Sequence, residues 1–364
     1  MLKVPLVKPK PDIEKFLRVI RGEETPERPP LAELFLDYEI AREISRTYLG
    51  RNWVEPAAER ESQAVYLKNW IEVYYRMGYD YVRMSGGLDF PVRSRPAENT
   101  AALAANPRQW AEEGRGPIST WQDFESYPWP DPKKSDLRDY EFVAQNLPEG
   151  MGLFVCPSSG FLEIPLDALF GYQNLCYLIY DNPELVAAVF DKVGKIIYGF
   201  YERLLGLPNL YGFFQGDDMG YKTGTLIAPN EIRKYALPWH KKLAELAHQY
   251  KLVYFLHSCG KLDQIVDDLI DDVKIDGRHS YEDESNPIVD FKQKYGNRTA
   301  VIGGIDVDKL CRLPEDALRV HVRQIIETCL PGGRFALGSG NTVANYVPIS
   351  NYFAMVEEGL NFRG

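Results

Sequence analysis

Residues 252–276 read LVYFLHSCGKLDQIVDDLIDDVKID, and this stretch contains one complete β/α unit. The apolar run at 252–257 predicts a buried strand, and Gly260 predicts the turn that follows it. The periodic apolar residues after the turn predict a helix, and the closing VKID at 273–276 is typical of a second strand. A strand, an amphipathic helix and another strand are the repeating unit of a parallel sheet.

The same alternation runs through the whole second half of the chain and reaches into the first half. It predicts seven strands, with an eighth unplaced in the first half, and favours one large barrel over two domains. We therefore predict an α/β fold, a single (β/α)8 TIM barrel spanning 1–364, with an N-terminal extension at 1–60 and an inserted aromatic-rich loop region at 93–135. The other predicted strands are YDYVRM (79–84), GLFVCPSS (152–159), NLYGFFQG (209–216), TAVIGG (299–304) and RFALG (334–338).

Composition and charge argue against two classes of binding partner, nucleic acids and anionic membranes. A chain of 364 residues with a net charge of −10 lacks the excess of Lys and Arg that nucleic acids or anionic membranes require. The longest apolar runs fall short of the eighteen or so residues that span a bilayer. Five scattered cysteines, an odd number, indicate reduced thiols and a cytoplasmic protein. We expect a small-molecule or protein partner, and neither nucleic acid nor membrane.

His257 and Cys259 lie two residues apart at the end of a predicted strand. Side chains at this spacing point the same way and lie about 7 Å apart along an extended segment, so both can reach one point. Imidazole nitrogen and thiolate sulfur are zinc ligands, but a catalytic zinc needs a third protein ligand. Asp217 or Asp218 on the neighbouring strand end, or Glu282 one loop further on, could supply it. The alternative interpretation is a buried histidine and a cysteine that packs as a small apolar group.

Two other strand ends carry polar residues. Adjacent Asp217 and Asp218 must diverge if the strand continues, so one can face the barrel axis while the other caps a turn; two ordinary turn residues are the alternative. The glycines of GGRFALGSGNT at 332–342 could bring backbone N–H groups to an anion, although a plain turn explains them equally.

The order of these motifs resembles the uroporphyrinogen decarboxylase superfamily, in particular its branch of zinc- and corrinoid-linked methyltransferases. The resemblance runs from about residue 70 to the end, through MGYDYVRM, GDDMGYKTGTLIAPNEIRKYALPWHKKL, LHSCGKLDQIVDDLI, VIGGIDVDKL and GGRFALGSGNTVANYVPISNYFAMVEEG. It implies a (β/α)8 barrel. The arginine-rich signature of the decarboxylases is missing before residue 60, and LGSG, with Ser339, stands where they have Leu-Gly-His-Gly. The branch's His-x-Cys is present, but its third ligand, a cysteine near the last strand, is missing.

The resemblance therefore implies a methyltransferase that takes a methyl group from a small methylated substrate, with methoxylated compounds among the candidates, and delivers it to a corrinoid on a partner protein, with zinc as Lewis acid. It implies His257, Cys259 and Asp218 as zinc ligands, with Asp217 and Asp218 as catalytic residues, and a homodimer by analogy. A metal-independent decarboxylase or lyase, using Arg278 or Arg334 to hold a carboxylate, is the second hypothesis, and a non-catalytic ligand-binding barrel the third. Candidate substrate-binding residues are Asp89, Glu163, Tyr221, Arg278, Glu282, Ser339 and Asn341.

Overall fold

The computed structural model describes residues 1–92, 94–97, 108–111 and 114–364. These residues form a curled, seven-stranded parallel sheet surrounded by helices, in the strand order β1-β4-β5-β8-β9-β10-β11. Two short antiparallel hairpins, β2 with β3 and β6 with β7, lie outside this sheet. The strands are β1 Tyr81–Ser85, β2 Ser94–Ala97, β3 Arg108–Ala111, β4 Gly152–Cys156, β5 Leu210–Gly216, β6 Gly220–Tyr221, β7 Gly224–Thr225, β8 Val253–His257, β9 Gly277–His279, β10 Ala300–Ile302 and β11 Phe335–Ala336.

Amphipathic helices cover the outer face of the sheet, as the alternating pattern predicts. The longest, α7, begins at Pro183 and ends at Leu204. Its apolar face is buried against the sheet and its neighbours. The helices are α1 Ile13–Arg21, α2 Tyr38–Glu43, α3 Arg60–Met77, α4 Trp121–Ser126, α5 Arg138–Asn146, α6 Tyr172–Asp181, α7 Pro183–Leu204, α8 Pro229–Tyr235, α9 Leu237–Gln249, α10 Ile288–Tyr295, α11 Val307–Arg312, α12 Glu315–Cys329 and α13 Ile349–Asn361.

Six of the seven predicted strands lie where the sequence placed them, but the strand predicted at 273–276 is wrong. A π-helical segment, Asp268–Val273, extends into that stretch, and Lys274 then adopts a left-handed φ of 65°. The strand begins only at Gly277, once the chain has turned back into the sheet. The side chains of Val273 and Ile275 are nevertheless buried, which is why the stretch resembles a buried strand.

The place beside β11 is taken by an N-terminal segment rather than by a regular strand. Leu31 forms an isolated parallel bridge with Leu337, and Leu36 forms another with Val343. On the other side, the hydroxyl of Tyr81 in β1 donates to the carbonyl of Glu33 and accepts from its N–H. The N-terminal segment thus lies between the two edge strands of the sheet.

The inner face of the sheet holds its own aromatic core. Tyr81, Phe154 and Phe255 from three strands pack together, with ring centroids 4.6 and 5.2 Å apart. Helix α1 inserts Phe16 beneath them, 5.4 Å from the Tyr81 ring. This core fills the amino-terminal end of the sheet. Polar side chains are therefore left to the opposite side, the carboxyl edge, where the strands end.

The predicted insertion at 93–135 is described only in part. Residues 93, 98–107 and 112–113 lie outside the described residues. The described remainder contains the β2–β3 hairpin and α4, whose N-cap Thr120 forms a capping box with Asp123. The domain boundaries stay a prediction. Among the described residues, no helix is both long and apolar enough to cross a membrane.

Candidate metal centre

Three side chains converge at the carboxyl edge, at the ends of β5 and β8. Asp218, His257 and Cys259, which we call the ligand triad, each offer one ligand atom, and all these atoms lie within 4.8 Å of one another. His257 Nε2 lies 3.4 Å from Cys259 Sγ and 3.5 Å from Asp218 Oδ1. Nitrogen, oxygen and sulfur ligands held tetrahedrally at roughly 2.0–2.3 Å from one zinc lie about 3.3–3.6 Å apart. Both distances from His257 Nε2 therefore match edges of a zinc coordination tetrahedron, and the third edge, between Asp218 and Cys259, is at most 4.8 Å.

The backbone holds the ligand triad in place. His257 is the last residue of β8 and lies in register with Gly216 of β5, so Asp218 follows two residues later on the adjacent strand end. The N–H of Cys259 donates to Asp218 Oδ1 at 2.8 Å, which orients the carboxylate toward the sulfur. Gly260 then turns the chain with a φ of 76°, where an added Cβ would lie 2.4 Å from the carbonyl carbon of Gly220.

His279 determines which nitrogen of His257 is free to bind a metal. His257 and His279 are register partners on β8 and β9, and their Nδ1 atoms lie 2.7 Å apart. His279 Nε2 lies 3.2 Å from the carbonyl oxygen of Ser339, which can only accept, so Nε2 carries the proton. In a neutral ring, His279 Nδ1 is then an acceptor, and His257 Nδ1 must donate to it. His257 Nε2 is left with a lone pair that faces Cys259 and Asp218.

Burial keeps both imidazoles neutral. It lowers the pKa of His257 to about 3, with smaller contributions from the positive charges of Arg83 and Arg278. Burial, and then the neighbouring His257, lower the pKa of His279 well below its ordinary value. His257 is thus unprotonated at neutral pH, the form in which imidazole binds metals.

Cys259 is a protonated thiol in the absence of a cation. Burial, followed by the charge of Asp218, raises its pKa well above the usual range. Asn341 Nδ2 lies 3.2 Å from Sγ and donates to it, and Ser280 Oγ donates from 3.8 Å. These donors would stabilise a thiolate once a cation replaces the proton.

Two further acids lie beside the triad and differ in their surroundings. Burial, then repulsion by Asp218 and Asp217, raises the pKa of Glu163 to about 8. Its Oε2 accepts from the N–H of Asp218 at 3.3 Å. Asp217 is fully buried, accepts from the N–H groups of Leu162 and Glu163, and lies 2.7 Å from His240 Nε2. Its carboxylate therefore anchors the loop after β4 to α9.

An open cavity of about 840 Å³ leads to the thiol. Cys259, Ser280 and Asn341 line it together with acidic and basic side chains. Some of these acids are already paired, as Asp283 is with Lys309. A polar small molecule therefore has direct access to Cys259.

The model of the family "Uroporphyrinogen decarboxylase (URO-D)" matches residues 166–360, more than half of the chain. The chain belongs to the uroporphyrinogen decarboxylase family. The family resemblance seen in the sequence is thereby confirmed, and the matched range includes all three residues of the ligand triad.

Solved structures of other proteins share the fold. A methyltransferase from Methanosarcina mazei is 15% identical, with a TM-score of 0.69, and the match covers 97% of this chain and 99% of that one. A protein described as a vitamin-B12-independent methionine synthase from Listeria monocytogenes is 13% identical, with a TM-score of 0.50 and coverages of 93% and 98%. The search of curated protein sequences finds no match.

Within this family fold, the other predicted site residues are spread over several environments. Glu282 and Asn341 line the cavity, and Tyr221 is 62% exposed on the hairpin beside it. Asp89 is exposed in the loop after β1. Ser339 is buried, and both its N–H and its hydroxyl donate to Glu33.

The side chain of Arg278 lies beside the turn that follows β8, where its Nη2 donates to the carbonyl of Gly260 at 3.3 Å. Its guanidinium lies over the rings of Tyr281 and Phe291, at 5.3 and 4.8 Å, on the outer face of the sheet. Arg334 lies directly before β11, at the amino end of that strand, and its side chain packs against Gly22 after α1. The carboxylate-holding role of Arg334 therefore has no geometric support, whereas that of Arg278, beside the turn that carries Cys259, stays a prediction.

Sequence reasoning missed two buried residues near the site, Glu33 and Arg83. It also missed the contact of His279 with His257. His279 had a usable signal, because alternation along GRHS places it on the side opposite to Arg278. Arg83 also had one, a charge within the apolar strand YVRM. Glu33 had none, because LAELFLDYEI is equally typical of a surface helix.

Proposed function

We propose that this chain is a methyltransferase of the uroporphyrinogen decarboxylase family, with Asp218, His257 and Cys259 as the ligands of a catalytic zinc. The observation that carries the proposal is the spacing of the three ligand atoms, with His257 Nε2 3.4 and 3.5 Å from its two neighbours. Two protein ligands come from one rigid strand end and the third from the strand beside it. Three protein ligands leave a fourth position for a substrate atom, as catalytic zinc requires.

Zinc bound there would act as a Lewis acid on the heteroatom that carries the methyl group, making it a better leaving group. The chain's own residues supply the rest. His279 holds His257 in the ligating tautomer, and Asn341 and Ser280 donate to the sulfur. The cavity admits the substrate from the side of Glu282 and Asn341. Glu163, which contacts Asp218, and Tyr221, on the β6–β7 hairpin, are our candidates for further substrate contacts.

The methyl donor that we propose is a small methylated molecule, with methoxylated compounds among the candidates, and the acceptor is a corrinoid on a partner protein. Support comes from the His-x-Cys motif of the corrinoid-linked branch and from the fold shared with the Methanosarcina methyltransferase. We also propose that residues 1–364 form one TIM barrel, in which the segment at 30–37 takes the position of the eighth strand. A homodimer and a cytoplasmic location stay predictions.

Metal analysis tests the first step. We expect about one zinc per chain, lost in the double variant His257→Ala/Cys259→Ala and strongly reduced in Asp218→Ala. Asp217→Asn is the matched control, because the adjacent aspartate contacts α9 and the loop after β4 instead of the triad. Zinc that survives the double variant, or that depends on Asp217 rather than Asp218, would remove the proposal.

The second step is methyl transfer itself. Purified protein is supplied with a panel of methoxylated and N-methylated compounds and with free cobalamin reduced to the cobalt(I) state. We expect zinc-dependent formation of methylcobalamin, read from its absorption spectrum, with at least one donor. Turnover of a substrate to a decarboxylated product after zinc has been removed would instead favour the metal-independent lyase.

A further inference from the structure

Arg83 is a buried cation on the inner face of the sheet. It is 5% exposed, and it lies on β1 two residues after Tyr81, whose side chain belongs to the inner aromatic core. Side chains two apart on a strand share a face, so Arg83 occupies the next layer toward the carboxyl edge. Its guanidinium lies 5.4 Å from the centre of the Phe214 ring.

The charge of Arg83 has no anionic partner among the described residues. Its Nε and Nη2 both donate to the carbonyl oxygen of Phe214, at 3.2 and 3.1 Å. No carboxylate of the described residues forms an ion pair with it, and Nη1 donates to none of them. A buried charge is costly unless it is paired, and one carbonyl oxygen compensates only part of that cost.

Arg83 lies on the same side of the sheet as the residues that support the ligand triad. The Phe214 ring beneath its guanidinium lies 5.7 Å from the ring of His279, which in turn contacts His257. Among the described residues, nothing offsets the charge of Arg83, and a negative group is the kind that would.

We propose that Arg83 binds a carboxylate group of the substrate. The fork of a guanidinium pairs two parallel N–H groups with two carboxylate oxygens, and the Nη1 side of Arg83 is the part that the carbonyl of Phe214 leaves free. The inference rests on the proposed function only in naming this ligand as the methyl donor. It assigns that donor to the methylated carboxylic acids.

The sheet geometry sets the size of such a donor. The guanidinium of Arg83 lies at the carbonyl of Phe214 on β5, and Asp218 follows four residues later along the same strand end. Four residues of extended chain amount to about 13 Å. A molecule with its carboxylate on Arg83 and its methyl group at the ligand triad therefore has several atoms between the two, as a methoxybenzoate has.

Ligand binding to the purified protein tests the inference without corrinoid or turnover. The probes are 4-methoxybenzoate, its neutral analogue 4-methoxybenzamide, acetate and inorganic phosphate, titrated by calorimetry into wild type, Arg83→Gln, Arg83→Lys and Arg334→Gln. We expect wild type to bind the benzoate at least tenfold more tightly than the amide. Arg83→Gln should abolish this preference, Arg83→Lys should keep part of it, and Arg334→Gln should keep all of it.

The inference is overturned if wild type shows no preference for the acid, if Arg83→Gln keeps the preference, or if only phosphate binding depends on Arg83. Should Arg83→Gln fail to fold, as judged by circular dichroism, the wild-type preference and Arg83→Lys decide the question. Zinc content of the same samples separates the two proposals. Bound zinc without an acid preference removes this inference alone, and an Arg83-dependent acid preference without zinc removes the proposed zinc chemistry alone.

Discussion

Replacing His279 should weaken zinc binding although His279 is not a ligand. His279→Leu removes the acceptor that lies 2.7 Å from His257 Nδ1 and leaves a buried N–H donor unpaired. Such a donor costs about 1–3 kcal/mol. His257 can escape this cost only by moving its proton to Nε2, the atom that faces the ligand triad. Zinc affinity should therefore fall by about 10- to 100-fold, the range found when residues that orient metal ligands are changed.

His279→Asn is the matched variant, because asparagine has nearly the shape of leucine but carries Oδ1 close to the position of the histidine Nδ1. It should recover much of the lost affinity. Competition with a chromophoric zinc chelator at pH 7.5 gives the dissociation constants, and ¹⁵N NMR of the histidines reports the tautomer of His257. The reasoning is refuted if His279→Leu binds zinc as tightly as wild type, or if Asn and Leu weaken binding equally.

The remaining predictions concern protonation and packing. Burial raises the pKa of Glu33 to about 8 from its ordinary 4.5. The protonated carboxyl therefore contributes fully to the free energy of unfolding below pH 4.5, and this contribution is lost as pH rises through 8. Glu33→Gln, which mimics the protonated acid, should match wild type in urea unfolding at pH 4.5 and exceed it at pH 9 by up to roughly 5 kcal/mol; a pH-independent difference would contradict this. Zinc binding at pH 7.5 should release at least one proton, from Cys259, as measured by calorimetry in buffers of different ionisation enthalpy, and Cys259→Ser should lower the release by about one proton. On α7, Gly194→Ala should lower the free energy of unfolding by about 1–3 kcal/mol, because its Cβ would lie 2.1 Å from the ring of Trp239. Gly199→Ala on the same helix meets no such contact closer than 3.4 Å and should raise it by up to about 1 kcal/mol; equal effects would refute the packing argument.

The sheet could be predicted from the sequence because its strands are buried on both faces. Such strands appear as uninterrupted apolar runs, as in GLFVC and VYFLH, and each is followed by a turn. The strand at 273–276 was predicted wrongly because an apolar run that ends a π-helical segment has the same composition. The segment at 30–37 could not be placed, since it contributes isolated bridges instead of a continuous ladder.

Part of the candidate site followed from local spacing. The two-residue period of a strand was enough to predict that His257 and Cys259 lie close together. The position of Asp218 at the end of the neighbouring strand indicated the third ligand. The sequence could not say which of two adjacent aspartates would turn inward. That choice depends on His240 and on the N–H groups of the loop after β4, which hold Asp217 from distant parts of the chain.

The contact between Glu33 and Ser339 joins residues 306 positions apart. Glu33 therefore emerges from the ribosome long before Ser339 is synthesised. The gap beside β11 stays open until nearly the whole polypeptide has emerged. Long-range closure of this kind is slow and leaves apolar edges uncovered in the meantime. Nascent chains that stop short of residue 335 should accordingly depend on chaperones, because they lack β11 and the residues after it, with which the N-terminal segment pairs.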